Sequence, residues 1–253
     1  MLTKILEKKR EEISTLIIPE RAQVSNRSFY KALKHSIRKP ALIAEVKKAS
    51  PSKGVIKESF HPVEIAKAYE AGKADCLSVL TDESFFQGHR DFIAEIKKNV
   101  SLPVLRKDFI IDHKQVEESK NIGADAILLI GEALEPRKLH ELYLHAYELD
   151  MDVLVEVHSL LVLEKLLPEF IPNILGVNNR DLSTFQTDLH QMKEISKFVP
   201  EETLLVSESG IFTFEDVNTV KKYGANAILV GESLMRQEDQ ALAIKVLYGE
   251  QND

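Results

Sequence analysis

Eight short apolar runs recur at nearly even spacing from residue 42 to the end of the chain. They occupy 42–46, 76–80, 104–105, 126–130, 153–157, 174–177, 204–206 and 227–230. A polar tip and then an amphipathic stretch of helical period follow each run. Units of about 26 residues hold one strand, one helix and two short loops. Nearly continuous apolar strands separated by helices predict a parallel sheet covered on its outer face. Internal repetition supports the count. Gly123-Ala-Asp-Ala-Ile-Leu-Leu-Ile-Gly131-Glu132 is echoed by Gly224-Ala-Asn-Ala-Ile-Leu-Val-Gly231-Glu232, and more weakly from Gly72. Each of these glycines is expected to end a helix and turn the chain into a strand. Eight units close into an α/β fold of the (β/α)8 TIM-barrel type. An open doubly wound sheet is the rival, but its glycine-rich phosphate loop is missing after the first strand.

About 40 residues precede the first strand. Leu2, Ile5, Leu6 and Ile13 share one helical face, and Phe29, Leu33 and Ile37 mark a second. Eight units do not need this segment, so it is expected to cap one end of the barrel. The whole of 1–253 reads as one domain, a helical N-terminal extension (1–40) followed by the barrel (41–253). Composition narrows the setting. A formal charge of −7 argues against nucleic acid and anionic membrane surfaces as partners. One cysteine, Cys76, permits no internal disulfide and no cysteine zinc site, and reads as a small apolar strand residue. No apolar run approaches the ~18 residues of a membrane span. The charged amphipathic start lacks a secretory core. A cytoplasmic protein is expected, and a monomer is compatible with all of this.

Barrel chemistry lies at the C-terminal ends of the strands. Strand one ends Ala44-Glu45-Val46-Lys47, where alternation puts Glu45 and Lys47 on one inward face. Such a pair is expensive there unless it is paired or used. Strand three carries Lys107 and strand five Glu156, so the two can face each other across the lumen. That arrangement can divide acid and base roles, or be a structural ion pair. His158 reads as a loop residue near the site. The histidines show no metal-binding spacing, so no metal is expected. Strand six offers Asn178 and Arg180. Strands seven and eight end in Ser207-Glu208-Ser209-Gly210 and Val230-Gly231-Glu232-Ser233. Glycine and serine at both tips match the usual phosphate site of such barrels, predicting a small phosphorylated substrate. The clusters Lys8-Lys9-Arg10 and Lys97-Lys98 read as solvated helix faces.

These residues resemble the indole-3-glycerol phosphate synthase family over essentially the whole chain. The likeness is carried by Ile43-Ala-Glu-Val-Lys-Lys-Ala-Ser-Pro-Ser-Lys-Gly54, Leu105-Arg-Lys-Asp-Phe109, Val155-Glu-Val-His158, Gly176-Val-Asn-Asn-Arg-Asp181, Ser207-Glu-Ser-Gly210 and Val230-Gly-Glu-Ser-Leu-Met235. The resemblance implies a cofactor-free lyase of tryptophan biosynthesis. Its reaction closes the indole ring of 1-(2-carboxyphenylamino)-1-deoxyribulose 5-phosphate with loss of CO2 and water. It implies Lys107 as general acid and Glu156 as the partner that takes and relays protons. Lys47 would hold the substrate carboxylate and could share the acid role. Glu45 and Asn178 would orient these groups, with Glu208 and Ser209 nearby. Ser50, Gly210, Gly231, Ser233 and the backbone N–H of Glu232 would bind phosphate. Phe86, Phe109 and Ile110 are expected to line a slot for the aromatic ring. Two positions depart from the family pattern: His89 stands where a small serine is usual, and Gly131-Glu132 where an alanine-rich segment is usual. The rivals are phosphoribosylanthranilate isomerase, opposed by the lack of a cysteine on strand one, a Schiff-base aldolase, and a non-catalytic phosphate-binding barrel.

Overall fold

The computed structural model describes residues 1–181 and 184–250. Eight parallel strands form a closed barrel: β1 (Ala41–Val46), β2 (Cys76–Leu80), β3 (Val104–Lys107), β4 (Ala126–Ile130), β5 (Asp152–Val157), β6 (Ile174–Asn178), β7 (Leu204–Glu208) and β8 (Ala227–Val230). Each pairs with its sequence neighbours, and β1 closes the ring against β8, with Ala41 opposite Ala227 and Ala44 opposite Val230. The eight apolar runs are these strands.

Alternation sorts the side chains into two layers. Ala41 and Ile43 point inward with Cys76, Leu105, Leu128, Leu154, Val206 and Leu229. Leu42, Ala44 and Val46 point outward into the larger layer beneath the helices. The inner set stops short of the C-terminal ends of β1, β3, β5 and β7. There the inward positions are Glu45, Lys107, Glu156 and Glu208. Helix starts are fixed close to that end by side-chain caps. Asp112 and Thr213 form capping boxes, and Ser159 caps the helix Leu160–Leu166.

The repeated glycines behave as expected at two of three positions. Gly123 and Gly224 take φ of +93° and +97°, a left-handed turn that other residues adopt at a cost. At the weaker copy that conformation falls one residue later, on Lys73, and Gly72 is instead right-handed.

The N-terminal extension caps both ends of the barrel, not one. Helix α1 (Leu2–Ser14) crosses the C-terminal mouth, where Met1, Leu2 and Ile5 line the central cavity. Helix α2 (Phe29–Lys34) plugs the opposite end, with Phe29 and Leu33 buried in the inner layer. Its entry is tied to the strand starts by Arg27 N–H donating to Asp125 Oδ1 (2.7 Å) and Tyr30 N–H to Asp152 Oδ2 (2.9 Å). Ile37 lies past the end of α2 and is exposed.

Two lysines expected on solvated faces are buried. Lys9 on α1 contacts Asp82 (2.8 Å), Asp108 (2.9 Å) and Glu12 (2.8 Å). Lys97 contacts Asp125 at 2.5 Å. In each case a buried carboxylate receives the ammonium, a long-range contact that a run of basic residues cannot reveal. Cys76 is buried on the inner face, as its neighbours predicted.

Candidate active site

At the C-terminal mouth one cavity collects the residues singled out from the sequence. Glu45, Lys47, Lys107, Glu156 and Asn178 line it, as do Ser50, Phe86, Phe109, Arg180, Glu208, Ser209, Gly210, Gly231, Glu232 and Ser233. Ile110 does not. It packs in the outer layer, because Phe109 turns into the cavity and its neighbour turns away.

The floor of the cavity is a buried ionic cluster. Lys107 Nζ lies 2.7 Å from Glu208 Oε2 and 3.3 Å from Glu156 Oε2. Lys47 forms a close ion pair with Glu45 at the end of β1. Burial opposes the charge on Lys107, but the fields of Glu208, Glu156 and Glu45 outweigh it and hold the ammonium well above its ordinary pKa. Burial likewise opposes ionisation of Glu45, and Lys47 and then Lys107 bring its pKa below the usual carboxylate range.

Glu156 and Glu208 divide. Burial raises both, yet Lys107, His158 and Asn178 together support a charge on Glu156, so its pKa is lowered. Glu208 is 1% exposed and its Oε1 has no hydrogen-bond partner among the described residues; burial and the adjacent Glu156 push its pKa up. Two neighbouring carboxyls with opposite shifts can hold one proton between them. Glu208 was expected beside the substrate. Its position as the nearest partner of Lys107 adds it to the ionic cluster, and neither strand period nor spacing could rank it against Glu156.

The rest of the cavity supplies two other environments. Phe86 and Phe109 stand 6.0 Å apart, tilted by 39°, and with Leu2, Ile5 and Leu128 they make an apolar slot. Across the mouth lie the tips of β7 and β8. Ser209 and Gly210 have φ of +66° and +79°, and Gly231 precedes the short helix Glu232–Met235. Ser233 Oγ donates to the Ile211 carbonyl at 3.0 Å, tying the two tips together. Ser50 sits on the small ribbon formed by Ala49–Ser50 and Gly54–Val55 above β1. Arg180 is held by the Phe185 carbonyl (3.0 Å) at the cavity edge.

Of the two departures from the family pattern, His89 lies outside the cavity, its ring near Glu83 and Asp91. Glu132 does not line the cavity; it stands behind His158, which does, and accepts from both its backbone and its ring. The apolar wall from α1 was not foreseen. The helical face of Leu2 and Ile5 was legible, but not which end of the barrel it covers.

The barrel is shared widely. Solved structures titled as 3-hexulose-6-phosphate synthase from Salmonella typhimurium (TM-score 0.66, 15% identity, 83% of this chain and 97% of that one) and N-acetylmannosamine-6-phosphate 2-epimerase from Clostridium perfringens (0.61, 14%, 83% and 91%) match it in fold alone. Sequence relatives are far closer. The chain is 67% identical over 250 residues to the indole-3-glycerol phosphate synthase of Priestia megaterium, covering 99% of this chain and 98% of that protein. It is 61% identical to that of Bacillus velezensis (99% and 100%) and 56% to that of Geobacillus kaustophilus (100% and 98%). A family model described as indole-3-glycerol phosphate synthase matches residues 2–247. With that match over nearly its full length, the chain belongs to the indole-3-glycerol phosphate synthase family.

Proposed function

We propose that the cavity performs the family's reaction, closing the indole ring of 1-(2-carboxyphenylamino)-1-deoxyribulose 5-phosphate to give indole-3-glycerol phosphate, CO2 and water. The observation that carries this reading is the arrangement of one buried lysine clamped between two carboxyls, an apolar slot, and a separate rim of glycine and serine at the tips of β7 and β8. Such a substrate has a phosphate, an aromatic carboxylate and a carbonyl, and each needs a different environment.

The rim formed by Ser50, Gly210, Gly231, Glu232 N–H and Ser233 takes the phosphate. Lys47 takes the carboxylate, exchanging its contact with Glu45 for the substrate. Phe86 and Phe109 hold the ring, and Arg180 borders the opening. In this position the ring carbon that bears the carboxylate attacks the carbonyl carbon. Lys107 protonates the carbonyl oxygen as the new bond forms. Loss of CO2 then restores aromaticity, helped by apolar walls that solvate the carboxylate poorly.

Dehydration needs a second proton on the departing hydroxyl, and the methylene carbon beside the nitrogen loses one. Glu156 receives it, oriented by Asn178, and Glu208 exchanges protons with Lys107 between steps. Two protons enter at oxygen and one leaves carbon, so each turnover consumes one proton if the substrate enters as a carboxylate. The strong hold of the carboxyls on Lys107 means its acidity emerges only as it trades them for the substrate oxygen.

Purified protein is expected to convert the substrate to a fluorescent indole without added metal or nucleotide. Tight phosphate-dependent binding with no turnover would instead favour a binding barrel. A substrate–lysine adduct trapped by borohydride would favour aldolase chemistry. Lys107→Ala is expected to lower kcat by about 10²–10⁴-fold. Near-normal kcat would remove Lys107 from the acid role even if the reaction is right.

A further inference from the structure

His158 follows β5 by one residue and belongs to no part of the scheme above. Its side chain is only 9% exposed and is held from outside the strand. Glu132, on the single turn Gly131–Ala133 after β4, accepts twice from it: from the His158 backbone N–H at Oε1 (2.7 Å) and at Oε2 from ring Nδ1 (3.1 Å). From the helix His190–Ser196, the Gln191 amide donates to the His158 carbonyl, which fixes the residue from the other side. The ring is therefore clamped, and its free nitrogen has one direction. Nε2 stands 3.5 Å from Glu156 Oε1 and has no hydrogen bond among the described residues.

Glu156 thus sits between two nitrogen groups, His158 at Oε1 and Lys107 at Oε2. The two are not equivalent. Lys107 must leave Glu156 when it protonates substrate, whereas His158 is braced by a carboxylate outside the reaction path. A carboxylate left alone in that cavity would lose its charge or its orientation at the step that needs both.

We propose that the Glu132–His158 pair is a positioning device for Glu156, an imidazolium braced from β4 that keeps this carboxylate ionised and directed at the substrate while Lys107 is engaged elsewhere. The proposal rests on Glu156 as proton acceptor. The charged groups facing the ring agree with it: Glu132 after β4, Glu156 on β5 and, through space, Glu208 on β7 are all carboxyls. Burial disfavours the imidazolium, and these carboxyls outweigh it and raise the His158 pKa. The sign for Glu156 follows: a cation beside Oε1 lowers its pKa, so removing the cation raises it.

Two measurements on the full chain test this. In the first, the His158 ring is titrated by NMR in isotope-labelled protein. His158 is expected to titrate above its ordinary 6.5 and to fall by about one unit or more in both Glu132→Gln and Glu156→Gln. In the second, the acid limb of kcat/KM is expected to move up by about one pH unit in His158→Gln, a tenfold loss on the limb with little change near pH 8. A His158 titration that neither variant moves would overturn the proposal, as would a loss in His158→Gln that is uniform across pH, the mark of a structural role. The NMR titration does not require turnover, so failure of the pairing shows as an unshifted ring and failure of the reaction as absent product.

Discussion

Gly176 illustrates how tightly single residues set the ionic cluster at the mouth. It faces inward on β6 in register with Glu156, and a Cβ built on it would lie 2.2 Å from Glu208 Oε1. The carboxyl of Glu208 fits against Lys107 only because position 176 has no side chain. Gly176→Ala is expected to displace that carboxyl with little effect on the barrel, since the end of a side chain moves more easily than a strand. Displacement by about 1 Å at reacting groups costs about 10²-fold, so kcat should fall by one to two orders of magnitude while the Tm stays within a few degrees. Steady-state kinetics beside a thermal melt check this; equal loss of both would mean that the strand itself had moved. Glycine in the sequence motif Gly176-Val-Asn-Asn-Arg-Asp181 was visible as a pattern. The reason for it was not, because the crowding atom belongs to another strand.

At the scale of elements, α1 is joined to the barrel by charge. Lys9 meets Asp82 in the turn after β2 and Asp108 after β3, and Asp108 also accepts from Thr81 Oγ1 (2.6 Å) and Arg106 (3.1 Å). Arg106 reaches on to Glu118, on the helix His113–Asn121, at 2.8 Å. Asp108 is next in the chain to Lys107, so the network that docks α1 also fixes the end of the strand that carries Lys107. Burial opposes the charge on Asp108, but Arg106 and Lys9 hold its pKa at about 2, below the ordinary 3.8. A lowered folded pKa means stability that is present above 3.8 and lost as pH falls toward 2. The shift corresponds to on the order of 2 kcal/mol. Lys9→Met removes one cation, so the folded pKa of Asp108 should rise toward 3.8, and the acid loss of Tm that begins near 3.8 should be smaller and end at a higher pH. Because Arg106 remains, Asp108 stays paired, and the variant is expected to fold, with KM raised by loosening of the Leu2–Ile5 wall. A series of melts from pH 7 to pH 2 reads the first effect; an unchanged acid profile would show that Lys9 contributes nothing to Asp108.

For the whole molecule, the two ends of the barrel have separate tasks, and the extension serves both. The mouth gathers ionisable groups at the ends of β1, β3, β5 and β7, while the opposite end is closed by Phe29 and Leu33 against Ala41, Ile43 and Cys76. Phe29 is fully buried and takes no part in the cavity at the mouth. Phe29→Ala should therefore cost about 3–5 kcal/mol in stability while leaving kcat and KM near normal below the melting range. Denaturant unfolding with kinetics at low temperature tests the separation, and a matching loss of kcat would show the two ends to be coupled. The −7 charge of the chain gives no hint of this polarity, because net charge sums the outside and says nothing of Lys47, Lys107 and Arg180 gathered in one place.

By itself the amino-acid sequence determined the strand count, the inward and outward faces, and which tips carry chemistry. These follow from local rules: period two within a strand, helical period between strands, and glycine at turns. The inward parity of Glu45 and Lys107 could be counted from the sequence alone. Only the tertiary structure decided which carboxyl stands nearest Lys107, that Lys9 and Lys97 are buried, that Ile110 faces away, and that Glu132 grips His158. Each of these is a contact between residues from different units, and a linear pattern holds no distance between units. Closure of the barrel supplies those distances, and with them the opposite pKa directions of Glu156 and Glu208.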